Sequence, residues 1–190
     1  MSKIAIIVGH PRSGTYCEAL GDAYRRGALS GGHEAELIRL ANLEFDPILR
    51  GAYVAVQPRE PDLERAYRAI AAADHLVIIF PLWLGDMPAI LKGFLERILQ
   101  PEIIDPAKAG KFVQVLKGKS ARIVVPMGMP GLAYRYWFGA HALKLLKRNI
   151  LGFMGVSPIR STVLGSVESV GDAGRKAWLD QLGELGRRAA

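Results

Sequence analysis

The chain has a single cysteine, Cys17. No internal disulfide can therefore form, and a lone thiol suits a reducing compartment. No stretch approaches the roughly 20 consecutive apolar residues of a membrane span. Met1-Ser2-Lys3 leads into strand-like sequence too early for a signal peptide with its cleavage site, so the expected location is cytoplasmic. The glycine fingerprint of dinucleotide-binding βαβ units, G-x-G-x-x-G, is missing, and so is the lysine-bearing phosphate loop. Cys17 lacks the arginine six positions on that a phosphatase loop requires. There is no zinc pattern, no aromatic-basic RNA motif, no internal repeat and no low-complexity tract. No metal site is expected.

What is present points to a well-packed domain. Half of the 190 residues are hydrophobic and 23% are charged, which excludes a disordered chain, and the length suits one domain over 1–190. The net charge of +7 is uneven: acidic residues balance basic ones over 1–100, whereas 101–190 holds 14 Lys/Arg against 6 Asp/Glu. A basic half suits an anionic ligand or partner. A nucleotide cofactor or plain solubility accounts for it better than nucleic acid, which is not expected as a partner.

Strand-like runs recur at 3–8, 35–40, 75–80, 121–125 and about 156–164. Helical spacing fills the gaps. Leu20, Ala23, Tyr24, Gly27 and Ala28 share one face before Gly31-Gly32; Leu63, Ala66, Tyr67 and Ile70 mark a second helix after Pro61. Pro88 opens a third, and further helices are expected over about 137–150 and 172–188. This alternation predicts an α/β fold, a five-stranded parallel sheet with helices on both faces, and ligands bound beyond the carboxyl ends of the strands. The long connections 41–60 and 100–119 carry no period and are candidate lids or partner contacts.

Three post-strand loops concentrate chemistry. The first, GHPRSGTYCEAL at 9–20, offers His10, Arg12, Ser13, Thr15 and free helix-start amides to an anion such as phosphate. An ordinary helix cap by Ser13 or Thr15 would look the same. Cys17 reads as a small buried hydrophobe. The second loop follows 75–80: Pro81, Gly85 and Pro88 stiffen it, and Leu82, Trp83 and Leu84 stand at the ligand edge, where a flat apolar ring or simply core packing would use them. The third, VVPMGMPGLAYRYWFGAH, sets Gly128 between Met127 and Met129. It then crowds Tyr134, Tyr136, Trp137, Phe138 and His141 into eight positions. These aromatics suit a pocket wall for planar substrates, a helix core or a subunit contact. Together the loops predict a phosphate seat, a ring edge and an aromatic wall, the layout for a flavin mononucleotide moiety.

On GHPRSGTYCEAL, FDPIL (45–49), PLWLGDMPAILKGFLERIL (81–99), MGMPGLAY (127–134) and LKRNILGFMGV (146–156), the chain resembles the flavodoxin-like NAD(P)H:quinone oxidoreductase family, which includes DT-diaphorase and bacterial relatives. The resemblance implies a non-covalent flavin, FMN or FAD. Hydride would pass from NAD(P)H to flavin N5, followed by two-electron reduction of a quinone-like acceptor in the same pocket. It implies flavin contacts from His10, Thr15, Tyr16 and Cys17, to which electrostatics adds Arg12. It further implies ring contacts from Pro81, Leu82, Trp83 and Leu84 on one edge and Met127, Gly128 and Met129 on the other. Tyr134 matches the family's active-site tyrosine, and His141 its active-site histidine after a shift of one residue. Leu84 replaces a common second aromatic and Pro126 a common threonine. A homodimer is implied. The alternative on the same fold is a flavin-binding regulatory subunit of a transporter or other partner.

Overall fold

The computed structural model describes residues 1–52, 55–103 and 114–190. Five strands, β1 (Lys3–Val8), β2 (Glu34–Arg39), β3 (His75–Ile79), β4 (Ser120–Pro126) and β5 (Ile159–Leu164), pair in parallel in the order β2-β1-β3-β4-β5. The helices between them are α1 (Tyr16–Ser30), α2 (Pro61–Ala72), α3 (Ala89–Ile103), α4 (His141–Lys144) and α5 (Gly171–Arg187).

The apolar strand runs are explained by burial on both faces. Ile4, Ile6 and Val8 of β1 pack with Leu20, Tyr24 and Leu182 from α1 and α5. Ala5 and Ile7 point the other way and join Leu63, Leu91 and Phe94 from α2 and α3. Each such aliphatic side chain contributes about 1.5–3 kcal/mol on leaving water. Where α1 and α5 cross, a Cβ on Gly27 would stand 1.8 Å from the Gly183 carbonyl oxygen, so the two backbones touch. The chain leaves β1 for β2 on one side and returns to β3 on the other. The topological switch therefore lies between the carboxyl ends of β1 and β3, where such sheets bind ligands.

Two boundaries differ from the sequence reading. Periodicity reads 137–150 as one helix; the structure has a π-helical turn at Ala133–Trp137, the short α4 and a π-helical stretch at Leu145–Gly152. The break falls at Gly139 and Ala140, whose φ angles of 66° and 49° are left-handed and cannot continue a right-handed helix. β5 begins at Ile159 rather than near 156. The Val156 N–H is taken by the Leu151 carbonyl and that of Ser157 by the Lys119 carbonyl, outside the ladder.

The candidate lid at 41–60 is fastened where it is described. Arg97 of α3, fully buried, donates to the carbonyls of Asp46 and Pro58 and pairs with Glu60 at 2.8 Å. Most of the other candidate, 100–119, lies outside the described residues.

Candidate functional site

At the end of β1 the Gly9 N–H donates to the Ile79 carbonyl at 2.8 Å, which aligns the exits of β1 and β3. The loop that follows is shaped by its own polar groups. The Arg12 nitrogen lies 3.0 Å from His10 Nδ1. The same ring nitrogen lies 3.0 Å from the Arg12 carbonyl, so the tautomer sets whether it accepts the Arg12 N–H or donates to that carbonyl, and burial lowers the His10 pKa. Gly14 turns the chain at φ 71°, and its N–H donates to Glu18 Oε2 at 2.7 Å. The Gly14 bond, and then Arg39, which pairs with the other Glu18 oxygen, hold the Glu18 carboxyl below its usual pKa. Thr15 caps α1, its hydroxyl accepting the Glu18 N–H at 3.4 Å. The amides of Tyr16 and Cys17, in the first helical turn, have no acceptor among the described residues, and neither has the Arg12 guanidinium. This is a cradle of donors open to an anion.

The ring end is built by the exits of β3, β4 and β5. Leu82 N–H donates to the Pro126 carbonyl at 3.2 Å, and Trp83 and Asp86 exchange N–H···O bonds of 2.8 and 2.9 Å across a tight turn. The Trp83 ring meets His10 edge-on, with centroids 5.3 Å apart. Val167 N–H donates to the Met127 carbonyl at 3.1 Å and Ser166 N–H to that of Met129 at 2.9 Å. These bonds lay the β5–α5 loop beside Gly128. Arg175 of α5 secures the same loop through the Val167 carbonyl, and Tyr16 Oη donates to the Arg175 carbonyl at 2.9 Å.

These pieces enclose a cavity of about 440 Å³, a size suited to a cofactor. His10, Arg12, Thr15, Tyr16 and Cys17 line one end; Pro81, Leu82, Trp83, Met127 and Gly128 line the other. Of the other lining residues, Gly14 lies within the loop read as an anion seat and Pro126 is the residue that replaces a common threonine, whereas sequence reading did not assign Val167 and Glu168. For Val167 and Glu168 the available signal was position alone, in the loop after β5. Four expected residues fall elsewhere. Leu84, at φ 48°, is fully exposed outside the cavity. Met129 packs on the core that Ala5 and Ile7 enter. Tyr134 is buried, its hydroxyl accepting the Leu143 N–H at 3.2 Å. His141 lines a separate cavity with Lys144 and Arg148.

The displaced pKa values in the main cavity remove reactivity rather than create it. Burial pushes the Cys17 thiol up to about 12 and raises Tyr16 too, so neither is a nucleophile or base at neutral pH. The arrangement suits an anionic, partly flat ligand whose own chemistry would do the reaction.

Over residues 2–185 the chain matches the family described as Flavodoxin-like fold, and it belongs to that family. The topology agrees with it. Among relatives, it is 25% identical over 182 residues to an "Uncharacterized NAD(P)H oxidoreductase" of Haemophilus influenzae, covering 92% of this chain and 89% of that one. It is 27% identical over 148 residues to an "FMN-dependent NADH:quinone oxidoreductase" of Ruegeria pomeroyi, covering 68% and 72%. The crystal structure of Smu.1420 from Streptococcus mutans superposes with a TM-score of 0.77 at 29% identity, covering 97% and 98%.

Proposed function

We propose that this chain is an FMN-dependent NAD(P)H:quinone oxidoreductase, acting as one flavin-binding domain over 1–190. The observation that carries the reading is the cavity at the β1–β3 switch point, with the Tyr16 and Cys17 amides and the Arg12 guanidinium left without partners among the described residues. That donor set fits a phosphate monoester, and the flat apolar end fits an isoalloxazine ring. The relatives' names favour FMN as the flavin.

A bound flavin would supply the two-electron exchange, from NAD(P)H to a quinone-like acceptor, in two successive half-reactions. The protein's part is binding and geometry. Thr15, Tyr16, Cys17 and Arg12 would hold the phosphate, with charge-assisted bonds about twice as strong as neutral ones. His10 would complete the seat beside them. Pro81, Leu82 and Trp83 would border one ring edge and Met127 and Gly128 the other; Glu168 adds a carboxylate beside Gly128. Leu84, Met129, Tyr134 and His141 would act from outside this cavity, at the acceptor side or through a second subunit.

The reading includes a homodimer. Tyr136 and Trp137 are more than 80% exposed, and Leu84, Leu132 and Phe138 are exposed as well. A second copy of the chain is their proposed cover. Among the described residues no helix is long and apolar enough to cross a membrane. With Cys17 buried and unpaired, the cytoplasm is the proposed location.

The test is to load the purified protein with FMN, desalt it and record the visible spectrum. Retained flavin absorbance that bleaches with NADPH and returns with a benzoquinone supports the reading. Loss of all flavin on desalting, under every loading condition, overturns it. Light scattering on the eluting peak checks the dimer, and the mass of one chain at micromolar protein would refute that part.

A further inference from the structure

Between Asp105 and Glu168 the sequence holds ten Lys/Arg and no Asp or Glu. Of these cations, Lys117, Arg135, Lys144, Lys147 and Arg148 are exposed and have no hydrogen-bond or ion-pair partner among the described residues. Other helices pair theirs. On α2, Arg65 meets Asp62 and Arg68 meets Glu64; on α3, Lys92 meets Glu96; on α5, Arg187 and Arg188 meet Glu184. Carboxylates three or four positions away offset a surface charge, and the stretch 141–152 has none. Its inner side is spent on the core through Leu143, Leu146 and Leu151. Its outer side carries Lys144, Lys147 and Arg148, gathered by a spacing of three and four residues.

At the end of this stretch Phe153 is exposed. Lys117 stands against the same end: a Cβ on Gly155 would lie 3.1 Å from its Cα, and the Leu116 N–H donates to the Met154 carbonyl at 3.0 Å. Asp86 shares a cavity with Lys144 and Arg148, but it accepts the Met87 N–H and pairs with neither cation. No neighbour fixes these cations, so their charge is diffuse. A fluid layer of phosphates meets diffuse charge without needing a set geometry. Phe153 adds a preference for a surface with hydrocarbon just beneath its charges, where aromatic rings settle at headgroup depth. An acidic protein or a nucleic acid would use the cations but give Phe153 no such place.

We infer that the outer face of residues 141–153, with Lys117, docks this chain on an anionic phospholipid surface. The face adjoins the back of the turn whose Trp83 lines the main cavity, since Gly85 and Asp86 of that turn share a cavity with Lys144 and Arg148. Docking therefore brings the proposed flavin site beside acceptors dissolved in the bilayer. The substrate class is then a lipid-borne quinone, and that part alone rests on the quinone-reductase reading. The proposed dimer uses Tyr136 and Trp137, which precede the break at Gly139 and Ala140. Two copies bring two sets of cations, and engaging both raises the affinity beyond that of either.

The experiment is co-sedimentation of the full chain with vesicles of phosphatidylcholine, alone or mixed equally with phosphatidylglycerol. Binding is expected to the mixed vesicles only, and it should fall as salt is added. Each Lys or Arg near an anionic surface is worth roughly fivefold in affinity, so Lys144→Ala, Lys147→Ala and Arg148→Ala combined should weaken binding about a hundredfold. Circular dichroism and FMN affinity of this triple variant, both expected at wild-type values, report an intact fold. A matched variant, Arg25→Ala with Arg26→Ala and Lys176→Ala, removes equal charge from α1 and α5, which pack on the other face of the sheet. It should bind nearly as the wild type does. Absence of binding to the mixed vesicles overturns the inference, and so do equal losses in the two variants, since net charge alone would then act. Retention by polyglutamate or duplex DNA through Lys144, without vesicle binding, also overturns it, because the face would serve an acidic macromolecule. In turnover, the triple variant should slow reduction of a long-chain quinone held in the mixed vesicles and leave that of a soluble benzoquinone unchanged. The two readings fail separately. Docking by a chain that retains no flavin loses the redox function and keeps the surface. Quinone reduction by a chain that leaves the vesicles alone loses the surface only.

Discussion

The two ends of the same sheet treat their polar groups in opposite ways. At the amino end, Asp74 accepts the Lys3 N–H and returns its own N–H to the Lys3 carbonyl, while its carbonyl accepts the Ser120 N–H. Lys119 is bound to the carbonyls of Ala71 and Ala73. Arg122 reaches Thr162 Oγ1 and the Ala190 carbonyl, to which Tyr24 Oη also donates. His75 shares a 2.7 Å bond with Ser120 Oγ. At the carboxyl end, two helix-start amides, the Arg12 guanidinium and the Glu168 carboxylate have no partner among the described residues. Buried or half-buried polar groups cost free energy unless they are paired. The end that closes its own hydrogen bonds, His75 Nε2 excepted, is structural, and the end that leaves several open is where a ligand completes the structure.

The largest expected effect tests the open end. Arg12→Ala with Thr15→Ala should weaken FMN binding by about 3 kcal/mol, on the order of a hundredfold, as two phosphate contacts are lost. Fluorescence titration of FMN measures it. Urea unfolding of the flavin-free variant should show a loss of only about 1 kcal/mol, the cost of removing the Thr15 cap of α1, since neither side chain supports the core. Unchanged FMN affinity would mean that the open donors serve something else.

The closed end should respond to acid instead. Burial lowers the His75 pKa to about 4, with the Arg122 and Arg160 charges adding to the shift, and its Nε2 has no partner among the described residues. The unfolded chain takes up this proton near pH 6.5, and the folded one only near 4. Stability from the neutral ring is therefore complete above about pH 6.5 and falls as the pH drops through that window. The loss levels off at roughly 3 kcal/mol below it. His75→Gln should flatten the slope of urea stability between pH 6.5 and 4 while FMN affinity stays at its wild-type value. An undiminished slope in the variant would place the acid sensitivity elsewhere.

The smallest effect sits between the two ends in character. Ser13 Oγ donates to Asn42 Oδ1 at 2.9 Å, an exposed bond that steadies the phosphate loop from the β2 side. Ser13→Ala should cost about 0.5 kcal/mol of FMN affinity, the low end for a neutral hydrogen bond. A loss as large as that of Arg12 would mean that Ser13 touches the ligand directly.

The sequence made the sheet readable because burial on both faces writes itself as continuous apolar runs, as in Ile4–Val8 and Leu76–Phe80. The loops after β1, β3 and β4 were readable for the same reason, since each follows such a run and carries its own donors or rings. The loop after β5 was not. Val167 and Glu168 have no local mark, and they become lining residues only when Leu164, Ser166 and Val167 pair with the Met127–Met129 stretch. Tyr134 and His141, expected at the site from the family resemblance, do not line this cavity. The left-handed turn at Gly139 and Ala140 carries His141 to the far side of the Trp83–Asp86 turn, and Tyr134 is spent on Leu143.

Glu18 has one further consequence. A single carboxylate grips the Gly14 amide with one oxygen and Arg39 with the other, and Arg39 also holds Asp22 at 2.9 Å. The loop is thus shaped by the protein's own folding before any ligand arrives. Little ordering entropy remains for the ligand to offset. On the function proposed here, the newly made chain would be a ready receptor. A cell short of flavin could accumulate it as a folded reserve and charge it later, without rebuilding it.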